Sequence, residues 1–286
     1  MIEGCDVVVG DEASTVLAET LGRVGDLLSY LKAVIGPVEC AVPMTAPVED
    51  GIWLACGDLI ENADWLGRVF EGTGRAIGTD DQVVAASIFI QGYAYRLLAL
   101  AVASFTVGGI VPGSAPTSMA IGLGRGRASK VAYCYPTVFE LVNGRNLSVA
   151  LLDQPTVDQA LMLLLDEVVE GHLRPLIATT RRQLRVGDRL LWGNVAASAS
   201  TAFRTMEGCL GPWVIPLGHR FFELGPSDLK GLGSFLLIED DAKHGWFWER
   251  TNCCLFDRIP GHARCADCSL TPFPERRSAY ARSLKG

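Results

Sequence analysis

The chain has 286 residues, of which 49% are hydrophobic and 20% are charged, and its formal net charge is −7. This composition is typical of a globular protein and excludes a disordered or repetitive chain. The acidic balance argues against nucleic acid as a partner, because binding to phosphates needs a basic surface.

The first 110 residues have the spacing of amphipathic helices. Apolar residues three or four positions apart predict a first helix over about Val16–Leu31, closed by Gly36-Pro37, and a second over about Trp53–Phe70. A third is predicted to start at the capping box Thr79–Gln82 and to end near Val107. Because this third helix is apolar nearly all round, we expect it in the middle of the fold.

The N-terminus and the apolar runs bear on localisation. Met1–Asp6 lacks the basic start and apolar core of a signal peptide. The longest apolar run, Leu97–Pro112, is shorter than the roughly 18–20 residues that a spanning helix needs. We therefore expect a cytoplasmic protein without a membrane span, for which peripheral membrane contact stays open.

The middle of the chain, residues 111–232, is predicted to mix strands and helices. Gly108–Lys130 is rich in glycine, proline and serine and is predicted to be a long loop. Within it, Gly122–Arg127 does not spell a nucleotide-binding motif and is interpreted as a flexible basic loop. Val131–Val142 and Asn146–Leu152 are predicted to be strands paired across a turn at Asn143-Gly144.

Two long helices are predicted next. One starts at the capping box Thr156–Gln159, after Pro155, and continues to about Ile177 with a kink at Pro175. The other covers about Arg185–Glu207.

The last segment, residues 233–286, holds the clearest chemical signal. Phe235–Ile238 and Trp246–Trp248 predict a β-hairpin, which leads into Cys253, Cys254, Cys265 and Cys268. Their spacing is C-C-x10-C-x2-C. A Cys-x2-Cys turn brings two thiolates to one metal in zinc and iron–sulfur sites alike.

The adjacent cysteine pair favours two metal atoms over one. Neighbouring side chains of an extended segment leave on opposite sides, so binding one zinc ion would need a bent backbone. Spacing alone nevertheless leaves three possibilities open: an iron–sulfur cluster, a structural zinc ion, or no site. The other five cysteines are predicted only to pack: Cys5, Cys40, Cys56, Cys134 and Cys209.

Further residues are candidates for contacts to a ligand. His262 lies between the cysteine pairs, and Arg250 and Arg264 flank them, where they could offset the charge of bound thiolates or attract an anion. His172, on an apolar helix face, and the pair Trp192 and Asn194 are candidates for a pocket. Core packing of these three side chains and solvation of the surface charges are the alternatives.

The segment Thr251–Leu270 resembles the C-terminal motif of the ferric siderophore reductases of the FhuF type, with all four cysteines at the same spacing. Leu190–Asn194 resembles the body of that family more loosely. The resemblance implies that the four cysteines hold a [2Fe-2S] cluster. It implies a fold that is α+β and mostly helical, with a central β region and a cysteine-rich metal-binding loop after a β-hairpin.

The resemblance also implies a function. One electron would pass from an external donor through the cluster to Fe(III) in a ferric siderophore, most characteristically a hydroxamate, and Fe(II) would be released. The donor would be a ferredoxin- or flavoprotein-like protein, since we find no nucleotide-binding motif for a flavin or nicotinamide. The candidates for contact with this substrate are the residues proposed above from their type and position: Arg250, His262, Arg264, Trp192, Asn194 and His172. The alternatives are a zinc-stabilised, non-redox module that binds a siderophore or a protein, and a cluster used in sensing or assembly.

Overall fold

Nine helices are formed by the part of the chain that the structure, a computed structural model, describes: residues 5–141, 149–240 and 243–284. They are α1 (Gly10–Leu27), α2 (Cys56–Glu61), α3 (Ala63–Ile77), α4 (Gln82–Gly108), α5 (Gln154–Leu164), α6 (Arg174–Gln183), α7 (Asp188–Leu210), α8 (Val214–Leu224) and α9 (Phe273–Leu284).

The strands within these residues form two small sheets and a hairpin. The first sheet has the order β1-β7-β4, from Cys5–Val9, Thr137–Leu141 and Ile110–Pro112. The second has the order β2-β6-β5-β3, from Lys32–Ile35, Arg127–Tyr133, Met119–Gly124 and Trp53–Ala55, and β2 pairs with β6 in parallel. The hairpin joins β8 (Gly233–Asp240) to β9 (Lys243–Arg250). The predicted fold class, α+β and mostly helical, is confirmed.

Helix α4 lies at the centre, as its all-round apolar pattern predicts. It packs on α7 and α3 and contacts α1 and the second sheet through β6. By length and composition it is the one described helix that could cross a membrane, and 72% of its most apolar window is buried inside the fold.

Aspartates rather than the predicted threonines cap two of the helices. The Asp81 carboxylate accepts hydrogen bonds from the amides of Val83 and Val84 and caps α4, while Thr79 bonds only to the Asp81 amide. Asp153 caps α5 by accepting from the amide of Thr156. Both capping boxes therefore predict the start of a helix correctly, but the residue that caps the helix is not the threonine they indicate.

One continuous helical run extends from α5 through α6. A π-helical segment, Leu165–Leu173, lies between the two and ends next to Pro175, which is in the first turn of α6. A proline at that position has no amide hydrogen to bond, and the wider π turn before it accommodates the ring. At the predicted kink the chain therefore changes from π-helix to α-helix.

Several predicted elements are wrong. Gly108–Lys130 is not a loop: it contains β4, β5 and the first part of β6. Val131–Val142 is not one strand, because β6 ends at Tyr133 and β7 belongs to the other sheet. Of the predicted strand Asn146–Leu152, residues 149–151 form a 3₁₀ turn. The rest of that strand up to residue 148, and the Asn143-Gly144 turn, lie outside the described residues.

The first two helices also differ from their prediction. Helix α1 ends at Leu27, and Leu28 and Leu31 are buried beyond its end. The predicted helix Trp53–Phe70 begins with β3 and is divided into α2 and α3 at Asn62, whose side chain caps α3. Helices α8 and α9 are additions that the glycine- and proline-rich sequence did not indicate.

A main apolar core joins residues from Ala13 in α1 to Trp248 in β9. The division into residues 1–110, 111–232 and 233–286 stays a prediction. The predicted hairpin before the cysteines is confirmed, with Phe235 opposite Trp248.

Candidate metal centre

The cysteine segment lies between the helical body and α9, directly after β9. Leu255 and Ile259 anchor it by packing on Val84 and Ile88 of α4 in a small apolar cluster of their own. This anchoring places the cysteines against the central helix.

A bend follows the adjacent cysteines. Leu255 has a left-handed backbone (φ +65°), which is uncommon for a residue with a branched side chain. The bend directs the Leu255 amide at the Cys253 sulfur, at 3.2 Å, and Arg258 closes the turn by donating to the Leu255 carbonyl. The chain is thus bent directly after the pair, so the extended segment that argued against a single zinc ion does not continue past Cys254.

Two of the four sulfurs converge. The Sγ atoms of Cys254 and Cys265 are 4.0 Å apart. Two thiolates on one tetrahedral metal, at metal–sulfur distances of about 2.3 Å, lie about 3.8 Å apart, so this pair fits a shared metal atom. Cys268 is buried, and its amide donates to the Cys265 carbonyl at 3.1 Å, which closes the Cys-x2-Cys turn.

The structure does not show a preformed cage of four sulfurs. Among the described residues, no three cysteine, histidine or acidic side chains converge tightly enough to hold a single ion. Cys253 is directed at Asp257, with 3.5 Å between its sulfur and the carboxylate.

A buried polar network fixes the backbone of this pair to the body. The Ser87 hydroxyl of α4 donates to the Cys254 carbonyl at 2.7 Å. The Asn194 amide of α7 donates to Ser87, and its oxygen accepts from the Arg250 guanidinium at 3.0 Å. Arg250 also donates to the Asn252 carbonyl at 2.8 Å. Two distant helices, α4 and α7, together with Arg250 at the end of β9, therefore hold the cysteine segment in place.

The burial of Arg250 tests whether the residues of this site fit an iron–sulfur cluster. Its side chain is 1% exposed, its Nη1 has no hydrogen-bond partner, and no described carboxylate forms an ion pair with it. A buried cation needs a compensating negative charge. A thiolate-bound cluster is negatively charged and would provide it, so the residues present fit a [2Fe-2S] group held by the four cysteines.

The pKa values of the cysteine thiols depend on the contacts of each sulfur in this site. A hydrogen bond with Cys265 and the positive charge of Arg250 together outweigh the effect of burial and lower the pKa of Cys254 to about 6. The same bond raises the pKa of Cys265. Burial raises the pKa of Cys253 to about 11, although the Leu255 amide opposes this rise. The positive charge of Arg250 thus favours the thiolate form of Cys254.

A cavity of about 320 Å³ opens beside the converged pair. Cys254, Phe256, Cys265 and Asp267 line one side of it, and α4 and α7 line the other. A ligand in this cavity would touch the body and the cysteine segment at once.

Four of the predicted substrate residues are buried and do not line this cavity. Arg250 and Asn194 belong to the network described above, with Asn194 fully buried. Trp192 is 3% exposed and packs under the Arg174 guanidinium. His172 bonds to Tyr93 and to the Ser114 carbonyl, each at 2.6 Å. All four side chains thus pack or form hydrogen bonds inside the fold, and their contact with a substrate stays a prediction.

The other two predicted substrate residues remain accessible. His262 is exposed and packs edge-on against the Phe256 ring. Arg264 is exposed and donates to the Leu270 carbonyl at 3.3 Å. Their substrate role stays a proposal.

Some residues of the site belong to no recognisable sequence motif. Asn252 lies against Gly193 so closely that a Cβ at residue 193 would be 2.0 Å from its Nδ2 atom. This close approach explains the glycine in the Trp-Gly-Asn segment. Ser87 and Arg127 stand in ordinary surroundings, and only the packing of α4 and the second sheet brings them to the site.

Comparison with known proteins gives two family matches. Residues 87–225 match the family described as "Ferric iron reductase FhuF-like transporter". Residues 250–270 match the "FhuF 2Fe-2S C-terminal domain". The second match contains all four cysteines and confirms the predicted [2Fe-2S] cofactor. That these cysteines are its ligands stays a proposal.

Comparison with curated proteins found no match. A solved structure that is similar is the aerobactin synthetase IucC from a hypervirulent pathotype of Klebsiella pneumoniae, at 15% sequence identity and a TM-score of 0.49. The alignment covers 78% of this chain and 46% of that one, so the chain spans about half the length of the synthetase.

Proposed function

Because the chain belongs to the FhuF-type family, we propose that it is a ferric-siderophore reductase. In this reaction Fe(III) held by a siderophore gains one electron and leaves as Fe(II). A ferredoxin- or flavoprotein-like donor supplies the electron. When bound, the [2Fe-2S] cluster provides the one-electron carrier between the two.

The observation that carries the proposal is the cavity walled by Cys254 and Cys265. Outer-sphere electron transfer needs no general base and no nucleophile; it needs the two metal centres close together. A ferric chelate in this cavity would lie against the sulfur pair. Hydroxamate oxygens bind Fe(III) more tightly than the less charged Fe(II), so reduction alone loosens the metal.

The surrounding residues have separate tasks in this proposal. Cys253, Cys254, Cys265 and Cys268 hold the cluster. Arg250 places a buried positive charge beside the sulfurs, which favours the more negative, reduced state. On the cavity side, Phe256 limits water at the sulfur pair, whereas Trp248 and Phe247 pack on α8 and α9.

The test is a single-turnover experiment. The protein is purified and reduced without oxygen, then mixed with a panel of ferric siderophores in the presence of a coloured Fe(II) chelator. We expect the visible spectrum to return to its oxidised form as one Fe(II) per cluster appears. Reoxidation without Fe(II), or no reaction with any chelate, would contradict the proposal and favour a role in cluster sensing or assembly.

A further inference from the structure

A second cavity, of about 560 Å³, adjoins the first and has a basic wall. Arg96 of α4 and Arg125 and Arg127 of the β5–β6 hairpin line it, together with His262 of the cysteine loop. Gly92, Tyr95 and Arg127 line both cavities. The two cavities thus form a groove that leads from the cysteine pair to the arginines.

No carboxylate neutralises these arginines within the described ranges of the chain. Arg96 donates only to the backbone carbonyls of Tyr30 and Ala128, at 3.3 and 3.4 Å. Arg127 lies over the Phe256 ring, 5.7 Å from its centre. Arg125 is exposed and forms neither a hydrogen bond nor an ion pair with a described residue.

Two acidic residues lie near this groove, and they are too few to cancel the positive charge of its three arginines. Asp267 lines the first cavity, the one beside the cysteine pair, together with Cys265. Asp50 accepts a hydrogen bond from the Gly126 amide at 2.8 Å, so that its carboxylate braces the hairpin turn. Local positive charge of this kind is unusual in a chain with a net charge of −7.

The turn that carries two of the arginines is tightly built. Arg125 and Gly126 both have left-handed backbones, φ +52° and +66°, which is the geometry of a type I′ turn. A Cβ at Gly126 would be 2.3 Å from the Ala76 Cβ, so only glycine fits. The turn therefore fixes the positions at which Arg125 and Arg127 enter the groove.

We propose that this groove selects ferric chelates that carry a net negative charge, with Arg125 and Arg127 as the residues that determine this specificity. The inference rests on the proposed function and names its substrate class. Guanidinium groups bind carboxylate or catecholate oxygens through paired hydrogen bonds, and an anion placed there would have its metal core directed toward the cysteine pair. The cavity volumes are in the range of small-molecule sites.

The test separates charge from metal chemistry. A linear trihydroxamate with a free terminal amine is compared with the same chelate after succinylation, which replaces a positive by a negative charge. Both are loaded with Ga(III), which cannot be reduced, and their affinities for the cluster-containing protein are measured by calorimetry. We expect the succinylated chelate to bind about tenfold more tightly at low ionic strength, and the preference to shrink in high salt.

The double variant Arg125→Gln/Arg127→Gln should lose most of this preference while its cluster spectrum stays unchanged. The matched control Arg185→Gln/Arg277→Gln removes the same charge from exposed positions outside the groove and should keep the preference. Equal affinity of the wild type for both chelates, or equal effects of the two double variants, would overturn the inference. Binding with this preference but without turnover of the Fe(III) chelates would uphold the inference and contradict the reductase function.

Discussion

Arg250 is the residue whose burial has the clearest consequence for the [2Fe-2S] cluster. Replacing it with Gln should lower the reduction potential of the cluster, because a neighbouring cation stabilises the state with the additional electron. A decrease of about 50 mV corresponds to about 1 kcal/mol of lost charge interaction. A redox titration followed by electron paramagnetic resonance measures it.

Arg250→Lys is the matched control, since it keeps the charge and loses the planar fork. Its potential should remain near that of the wild type, even if its stability falls. A Gln variant that retains its cluster at an unchanged potential would show that the buried charge does not influence the cluster.

The four cysteines can be tested one at a time. Serine at Cys253, Cys254, Cys265 or Cys268 should abolish or badly weaken the visible absorption of the cluster, because serine oxygen is a poor substitute for thiolate. Serine at the exposed Cys209 or the buried Cys56 should leave it intact. If Cys254→Ser keeps the native spectrum, the proposed ligand set is incorrect.

His172 makes stability depend on pH. Burial lowers its pKa from 6.5 to about 4. Its Nδ1–H donates to the Ser114 carbonyl, so its Nε2 must accept from Tyr93, which requires the neutral ring. The unfolded chain therefore binds a proton below pH 6.5 that the folded chain takes up only near pH 4. The free energy of unfolding should fall by about 3 kcal/mol as the pH decreases through this window.

Urea unfolding at a series of pH values gives the measurement. His172→Asn, which retains a donor toward Ser114, should be less stable at neutral pH but should lose less stability between pH 6.5 and 4. Any acid sensitivity of the cluster is common to both proteins. Parallel pH profiles would therefore rule out His172 as the titrating group.

At the scale of elements, α7 and the cysteine segment meet at a glycine. Gly193→Ala would place a methyl group 2.0 Å from the Asn252 side chain and push the start of the cysteine segment away from the helix. We expect a loss of about 1–3 kcal/mol in the free energy of unfolding and faster release of the cluster in air. Thermal unfolding and the decay of visible absorption report the two effects.

The same helix supplies the control. A Cβ added at Gly208 would meet no other atom within 4 Å, so Gly208→Ala should be neutral or stabilise by up to about 1 kcal/mol, as expected for alanine in a helix. If both variants behave alike, the contact between Gly193 and Asn252 does not position the segment.

The elements that could be predicted from sequence are those with strong local signals. The apolar run of α4 and the aromatic alternation of β8 and β9 predict their elements on their own. Strand β5, Met-Ala-Ile-Gly-Leu-Gly, has almost no β-branched residue. Its Gly122 is needed because the Lys130 side chain occupies the space of a Cβ, a contact made only when β5 and β6 pair. Such a requirement cannot be predicted from local propensity.

The candidate site also has a part that could be predicted from sequence and a part that could not. Cysteine spacing identifies the candidate ligands because metal chemistry restricts residue type and spacing. The Ser87–Asn194–Arg250 network and the basic groove depend on α4, α7 and the second sheet meeting, so single positions gave no indication of them. For the same reason the sequence alone cannot distinguish a buried Asn194 or His172 from a residue that contacts substrate, since burial is a property of the folded chain.

At the scale of the whole molecule, the main core and the cysteine segment are stabilised differently. The main core extends through α1, α4, α7 and the sheets, whereas Leu255 and Ile259 join only Val84 and Ile88. Removing the cluster with a chelator under reducing conditions should therefore increase amide hydrogen exchange in residues 251–270 and leave α4 and α7 protected. Hydrogen exchange followed by mass spectrometry compares the two forms. Deprotection of α4 together with the cysteine segment would show instead that the cluster supports the fold of the body, since α4 packs on α1, α3, α7 and β6.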